Sequence, residues 1–149
     1  MLNRKGMLSA LCVALIAGVT VWAGEPKLEG VKCVVAPRAA KADKSVDYKD
    51  GKVFFCCANC PKKFAAAPEK FATKANMQLV ATGQYEQKKC PLTGRDLNAD
   101  TKIKVGEAEV AFCCANCKGK VEAAEGDKQV EMVFGEKAFE KAEFAKAGS

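Results

Sequence analysis

The sequence contains no histidine among its 149 residues. Histidine is the usual general base beside a serine or cysteine nucleophile, and its imidazole is a common metal ligand. Its absence excludes a cysteine–histidine pair, a serine–histidine–aspartate set and any imidazole-bound metal. We also find no glycine-rich phosphate loop and no framed pair of carboxylates. We therefore expect a protein that is not an enzyme.

A strong excess of one charge is lacking as well. The chain has 24 Lys and Arg residues against 18 Asp and Glu residues, a net charge of +6. Without residues 1–23 the basic count falls to 22, and the net charge to +4. The two signs are interleaved, which is typical of a solvated surface and not of a nucleic-acid footprint. We expect no nucleic-acid partner.

Only the N-terminus has a long apolar run. Arg4 and Lys5 precede the uncharged segment Met7–Val21, and small residues follow it. This order is typical of a secretory signal peptide, which we predict over residues 1–23. Cys12 would leave with it. The run is short for a membrane span, so we expect a secreted or periplasmic protein with no stable span after cleavage; an uncleaved anchor is the alternative.

Cysteine is abundant, and its positions repeat. A shift of 57 residues superimposes residues 32–67 on 89–124 with 15 of 36 positions identical. Such agreement indicates a duplicated unit; we call residues 32–67 the first repeat and 89–124 the second repeat. The cysteines that coincide are Cys33, Cys56, Cys57 and Cys60 with Cys90, Cys113, Cys114 and Cys117. The sequence thus predicts two cysteine-rich modules, over residues 30–82 and 87–145.

Each module is predicted to be small and α+β. Val46–Tyr48 and Val53–Phe55 flank an Asp-Gly pair and predict a hairpin, and Ala58–Ala67 predicts a helix that Pro68 ends. The remaining predictions are a short helix over Glu69–Ala75, short strands over Met77–Val80 and Gln129–Phe134, a polar linker over Gly83–Lys88, and a helix over Glu136–Ala145. Two tandem ββα units follow.

The cysteine spacing reads C-x22-C-x3-C through Cys56 and Cys113, or C-x23-C-x2-C through Cys57 and Cys114. Both spacings can present sulfur from one helix turn to a single ion, and a helix N-terminus favours the thiolate that metals require. All eight cysteines of the repeats are therefore candidate ligands. Thiolate-rich sites prefer Zn(II) or a soft ion such as Cu(I), and the sequence does not choose between them.

These motifs resemble the TRASH and YHS family of metal-associated domains. Cys90-Pro-Leu-Thr-Gly94 followed by Val110-Ala-Phe-Cys113 carries the likeness best. The resemblance implies treble-clef-like modules, tied in several members to heavy-metal or copper sensing, trafficking or resistance. It places the family's ligands on Cys33, Cys56 and Cys60 and on Cys90, Cys113 and Cys117. Cys57 and Cys114 are extra, and the usual next ligand position holds Ala36 or Thr93.

We therefore predict an exported metal-binding protein that handles or sequesters Zn(II) or Cu(I). Its partners would be the metal ion and a metal-transport or envelope protein. One alternative is an envelope interaction or structural module held by structural zinc or by four disulfides, the usual framework of small exported proteins. Another is a thiol–disulfide oxidoreductase that uses the Cys57-Ala-Asn-Cys60 motif.

Overall fold

The computed structural model describes residues 25–148. The predicted signal peptide, with Cys12, lies outside the described residues. Within the described range no helix combines the length and apolar character needed to cross a membrane. The fold of this range is small and mixed α+β, with five α-helices and short antiparallel strands.

The strands are β1 (Lys41–Tyr48), β2 (Gly51–Phe55), β3 (Tyr85–Glu86), β4 (Asn98–Val105), β5 (Ala108–Phe112) and β6 (Ala145–Lys146). The helices are α1 (Asn59–Ala66), α2 (Ala72–Ala81), α3 (Ala115–Glu122), α4 (Gly126–Phe134) and α5 (Glu136–Lys141), with a 3₁₀ turn over Pro68–Phe71. The strands form three antiparallel pairs, β1 with β2, β4 with β5, and β3 with β6.

The two long hairpins follow the sequence repeat. Strands β4 and β5 stand 57 residues after β1 and β2, and each hairpin contains one register shift in its first strand. The first turn is Lys49–Asp50, one residue earlier than the predicted Asp-Gly turn, and Lys49 takes the left-handed conformation with φ 51°. Gly51 instead begins β2, where an added Cβ would lie 2.7 Å from Leu79 Cδ2. Close packing against α2 therefore requires this glycine.

Two predicted strands are helical, and those predictions were wrong. Met77–Val80 lies in α2, and Gln129–Phe134 lies in α4. Helix α2 buries Ala72, Ala75, Asn76 and Leu79, which recur at the three- and four-residue spacing of one helix face. A short segment that is mostly apolar fits either element, and the packing of α2 against both hairpins and the C-terminal helices selects the helix.

The linker prediction was also incomplete, because Tyr85–Glu86 within Gly83–Lys88 forms β3 and pairs with β6. The final predicted helix ends early, since α5 stops at Lys141 and β6 follows.

One hydrophobic core serves both repeats. Helix α2 contacts β2 of the first hairpin, β5 of the second, and the C-terminal helices α4 and α5. Phe55 and Phe112, equivalent residues of the two repeats, have no exposed surface and belong to the same cluster as Phe134. The first hairpin is further tied to α5, since Lys49 Nζ lies 3.2 Å from Glu136 Oε2 and 4.7 Å from the Phe139 ring centroid.

The outer edge of β2 is completed by a glutamine side chain and not by a third strand. Gln78 is 1% exposed, and its Oε1 accepts from the Phe54 amide at 2.6 Å. Its Nε2 donates to the carbonyls of Phe54 at 3.0 Å and Lys32 at 2.8 Å. A buried backbone group without a partner costs about 1–3 kcal/mol, so this amide contributes to stability as well as to position.

Replacing Gln78 with alanine should lower the free energy of unfolding by about 2–4 kcal/mol, because two buried backbone groups of Phe54 and the partly buried carbonyl of Lys32 lose a partner. Denaturant unfolding of the purified chain measures this. Lys74→Ala on the same helix is the control, since its ion pair with Asp127 is exposed and 3.8 Å long. It should change stability by less than about 0.5 kcal/mol. Equal effects from the two variants would contradict the account.

Candidate metal centre

Each repeat begins with a tight loop that places its first cysteine. The Cys33 amide donates to the Arg38 carbonyl at 2.7 Å, and the Cys90 amide donates to the Arg95 carbonyl at 2.9 Å. Isolated antiparallel bridges close the same loops one residue further out, between Lys32 and Ala39 and between Lys89 and Asp96. Both first cysteines are thereby held beside their hairpins, and both are buried.

The remaining cysteines lie where the hairpin passes into a helix. Cys56 and Cys57 follow β2 directly and precede α1, and Cys60 is the second residue of α1. In the second repeat Cys113 follows β5, Cys114 is the residue before α3, and Cys117 lies in its first turn. The prediction that one helix turn carries all of these cysteines was wrong, because only Cys60 and Cys117 are helical.

This arrangement collects three sulfurs in each repeat. The Sγ atoms of Cys33, Cys56 and Cys60 all lie within 4.8 Å of one another, as do those of Cys90, Cys113 and Cys117. We call these sets the first triad and the second triad. The first cysteine of each triad is distant in sequence from the other two, and the hairpin brings it to them. Two clusters that could each bind a metal ion result.

The sulfur separations fit metal coordination. Cys56 and Cys60 have their Sγ atoms 3.7 Å apart, and Cys113 and Cys117 have theirs 3.6 Å apart. A tetrahedral Zn(II) ion with bonds of about 2.3 Å spaces its sulfurs about 3.8 Å apart, and a trigonal ion with equal bonds about 4.0 Å. The separations therefore suit either geometry and do not select the metal.

The extra cysteine of each repeat lies beside its triad. Cys57 Sγ is 3.3 Å from Cys60 Sγ, and Cys114 Sγ is 3.7 Å from Cys113 Sγ. Neither belongs to the set of sulfurs that all lie within 4.8 Å of one another. Both are half-buried, and all eight cysteines of the two repeats are free thiols. Each repeat thus has three sulfurs that are mutually close and a fourth sulfur that lies near one of the three.

Burial and hydrogen bonds shift the pKa values of the thiols in the first repeat in opposite directions. Burial, followed by hydrogen bonds to the thiols of Cys57 and Cys56, raises the pKa of Cys60 to about 12. The hydrogen bond with Cys60 and backbone hydrogen bonds from the start of α1 lower the pKa of Cys57 to about 7. Burial opposes ionisation of Cys33, yet backbone hydrogen bonds from Val35 and Cys56 outweigh it and lower its pKa.

The second repeat adds a hydroxyl to the same scheme. Thr93 Oγ1 lies 3.3 Å from Cys113 Sγ, and it also accepts from the Arg95 amide at 3.4 Å. Burial opposes ionisation of Cys90, but the Thr93 hydroxyl and backbone hydrogen bonds from Cys113 and Leu92 lower its pKa to about 7. Burial and neighbouring thiols raise the pKa of Cys117 to about 12. The equivalent of Thr93 in the first repeat is Ala36, which has no polar side-chain atom.

Two residues that position the triads carry no signal in the sequence repeat. Gln78 in α2 donates to the Lys32 carbonyl and pairs with the backbone of Phe54. Gln87, beside β3, donates to the Lys89 carbonyl at 3.0 Å and pairs with the backbone of Ala111 at 2.9 Å. The bonded backbone positions are equivalent in the two repeats, but the glutamines are not. Aligning the first repeat with the second could therefore not have identified the two glutamines.

Comparisons of the chain with protein-family models, with curated proteins and with solved structures found no match. The site is therefore interpreted from its own residues.

Proposed function

We propose that this chain is a metal-binding protein with two thiolate sites, one at each triad, and that it handles or sequesters Zn(II) or a soft ion such as Cu(I). The observation that carries the proposal is the convergence of three sulfurs to within 4.8 Å in both repeats. Thiolate ligation of this density disfavours Mg²⁺, Ca²⁺ and Mn²⁺, which prefer oxygen.

The proposal includes two treble-clef-like modules, over residues 30–82 and 87–145, of the TRASH and YHS type. Three features support it: the closed loop at the first cysteine, the antiparallel hairpin, and a helix whose first turn carries the last cysteine of the triad. All three recur in the second repeat. Export to the cell envelope, a metal-transport or envelope protein as partner, and the absence of enzymatic activity belong to the same proposal.

A second candidate is a structural role, in which closed metal sites hold the fold of an interaction module. The burial of two cysteines in each triad favours it, since Cys90 has no exposed surface and Cys33, Cys60 and Cys117 are at most 6% exposed. Structural zinc sites are closed, whereas a trafficking site keeps an accessible thiolate. The half-buried Cys57 and Cys114 favour exchange.

Metal competition separates these two candidates. The purified, reduced chain is loaded with Zn(II) and then challenged with Cu(I) held by a chromogenic chelator. Handling of soft metal predicts that the chain withdraws Cu(I) from the chelator and releases Zn(II). A purely structural role predicts that zinc stays bound under mild chelation and that its forced removal unfolds the chain. Failure to bind either ion under reducing conditions would contradict both.

Zinc binding should release protons and weaken as the pH falls. The pKa of Cys60 and of Cys117 is about 12 in the metal-free chain, so both thiols are protonated at neutral pH. Metal binds thiolate, so each equivalent must displace at least one proton, and affinity should fall about tenfold per released proton for each pH unit. Zinc titrations in two buffers of different ionisation enthalpy count the protons. A heat of binding that is independent of the buffer would contradict the prediction.

A further inference from the structure

The loops of the two triads, residues 33–38 and 90–95, differ at four positions, and one of these differences places a hydroxyl beside the second triad. In the second repeat Thr93 Oγ1 lies 3.3 Å from Cys113 Sγ. A metal-bound thiolate carries no proton, so there the hydroxyl would be the donor and the sulfur the acceptor. Hydrogen bonds of this kind fix a ligand's orientation and strengthen metal binding. Ala36 stands at the equivalent position of the first repeat, where no such bond can form.

A groove runs along the loop of the first triad. The Cys33 loop, residues 32–37, forms one wall of an open groove of about 420 Å³, whose other wall includes Glu107 and Asp127. Cys33 itself is 5% exposed, and Cys90 has no exposed surface. The groove gives an incoming ligand a path to the loop of the first triad.

The extra cysteines occupy different places beside their triads. Cys57 Sγ is 3.3 Å from Cys60 Sγ, at the helical end of the first triad. Cys114 Sγ is 3.7 Å from Cys113 Sγ, the sulfur that Thr93 also contacts. In the first repeat a spare sulfur thus adjoins a triad sulfur that has no hydroxyl partner, so it can take one coordination position as another ligand leaves.

We infer that the two sites release metal at different rates. The first triad is the exchanging site, which passes its ion to a thiolate-bearing acceptor, and Thr93 makes the second triad the site of slow release. This inference rests on the proposed function. In each exchange step an incoming thiolate forms one metal–sulfur bond while one bond to a protein sulfur breaks. The ion keeps its charge throughout, so no oxidant or reductant takes part. Thr93 acts as a positioning residue through Cys113.

Zinc release from the loaded chain to an excess of a chromogenic chelator tests the inference. We expect two phases of one equivalent each. In the Cys60→Ser variant only the slow phase should remain, and in the Cys117→Ser variant only the fast phase should remain. These losses identify which site gives each phase. Thr93→Ala should speed the slow phase about tenfold or more, and Thr93→Ser should restore it. Ala36→Thr should slow the fast phase by a similar factor.

The unfolding midpoint of each metal-free variant is measured beside its release rate, because a merely structural effect of Thr93 would move the midpoint and leave the rate unchanged. Two equivalents released at one common rate, or a slow phase that Thr93→Ala does not alter, would overturn this inference and leave the proposed function standing. A reduced chain that binds no zinc would overturn the proposed function, and with it this inference.

Discussion

Replacing Cys60 with serine should reduce the bound zinc from two equivalents to one. Cys60 is the only helical member of the first triad, and its Sγ lies 3.7 Å from Cys56 Sγ. A serine hydroxyl is protonated at neutral pH and is a poor ligand for a thiophilic ion. Zinc binding of about 10–16 kcal/mol shared over three or four sulfurs gives a loss of affinity of about a hundredfold or more at this site.

Cys57→Ser is the matched control, since it removes a neighbouring sulfur that lies outside the first triad. It should retain two equivalents of zinc. Spectra of the cobalt-substituted chain report the number of sulfur ligands through their charge-transfer bands, so they distinguish a lost ligand from a lost fold. Equal loss of metal in the Cys57 and Cys60 variants would show that the three-sulfur sets are the wrong ligand sets.

Metal removal should destabilise the whole described fold in one transition. Two cysteines of each triad belong to a single hydrophobic cluster with Phe55, Phe112 and Phe134, and the third cysteine of each triad packs against this cluster. A ligand at 100 times its dissociation constant adds about 2.7 kcal/mol per site, hence about 5 kcal/mol for two. We expect zinc to raise the melting temperature by about 10 °C or more over the chelated chain.

Thermal unfolding of the reduced chain, with zinc or with excess chelator, measures this shift. The control is a chain with both Cys60→Ser and Cys117→Ser, whose melting temperature should not respond to zinc. Two separate transitions in the wild-type chain, each sensitive to one site, would contradict a shared core.

The duplication allowed the sequence to predict the hairpins and the first helix. Residues 57 apart carry the same cysteines, and Val53 and Phe55 repeat as Val110 and Phe112, so the same local structure follows in both places. The helix predicted over Ala58–Ala67 is observed as α1, Asn59–Ala66. These features depend on local patterns, which a single sequence is enough to reveal.

The elements between and after the repeats could not be predicted from local sequence patterns. Met77–Val80 is short and has three apolar residues of four, and its helical form depends on contacts of α2 with both hairpins. The role of Gln78 likewise depends on the carbonyl of Lys32, a residue 46 positions away. Tertiary contacts of this length leave no periodic mark in the sequence.

The ligand set was left open by spacing alone. Cys56 and Cys57 both reach Cys60, at 3.7 Å and 3.3 Å, as the two readings of the spacing allow. Only the position of Cys33, fixed by its loop, distinguishes them, because Cys56 and not Cys57 completes the first triad. The fold thus places two thiols that the sequence treats alike in different positions relative to Cys33.

Native mass spectrometry of the chain purified without reductant and then titrated with zinc tests the central claim most directly, because it counts bound ions and disulfides in one spectrum. The account predicts a species with two zinc ions, and a species with one ion for the Cys60→Ser variant. A chain that binds no zinc and lacks eight hydrogens, one from each cysteine of the two repeats, would contradict it in favour of four disulfides.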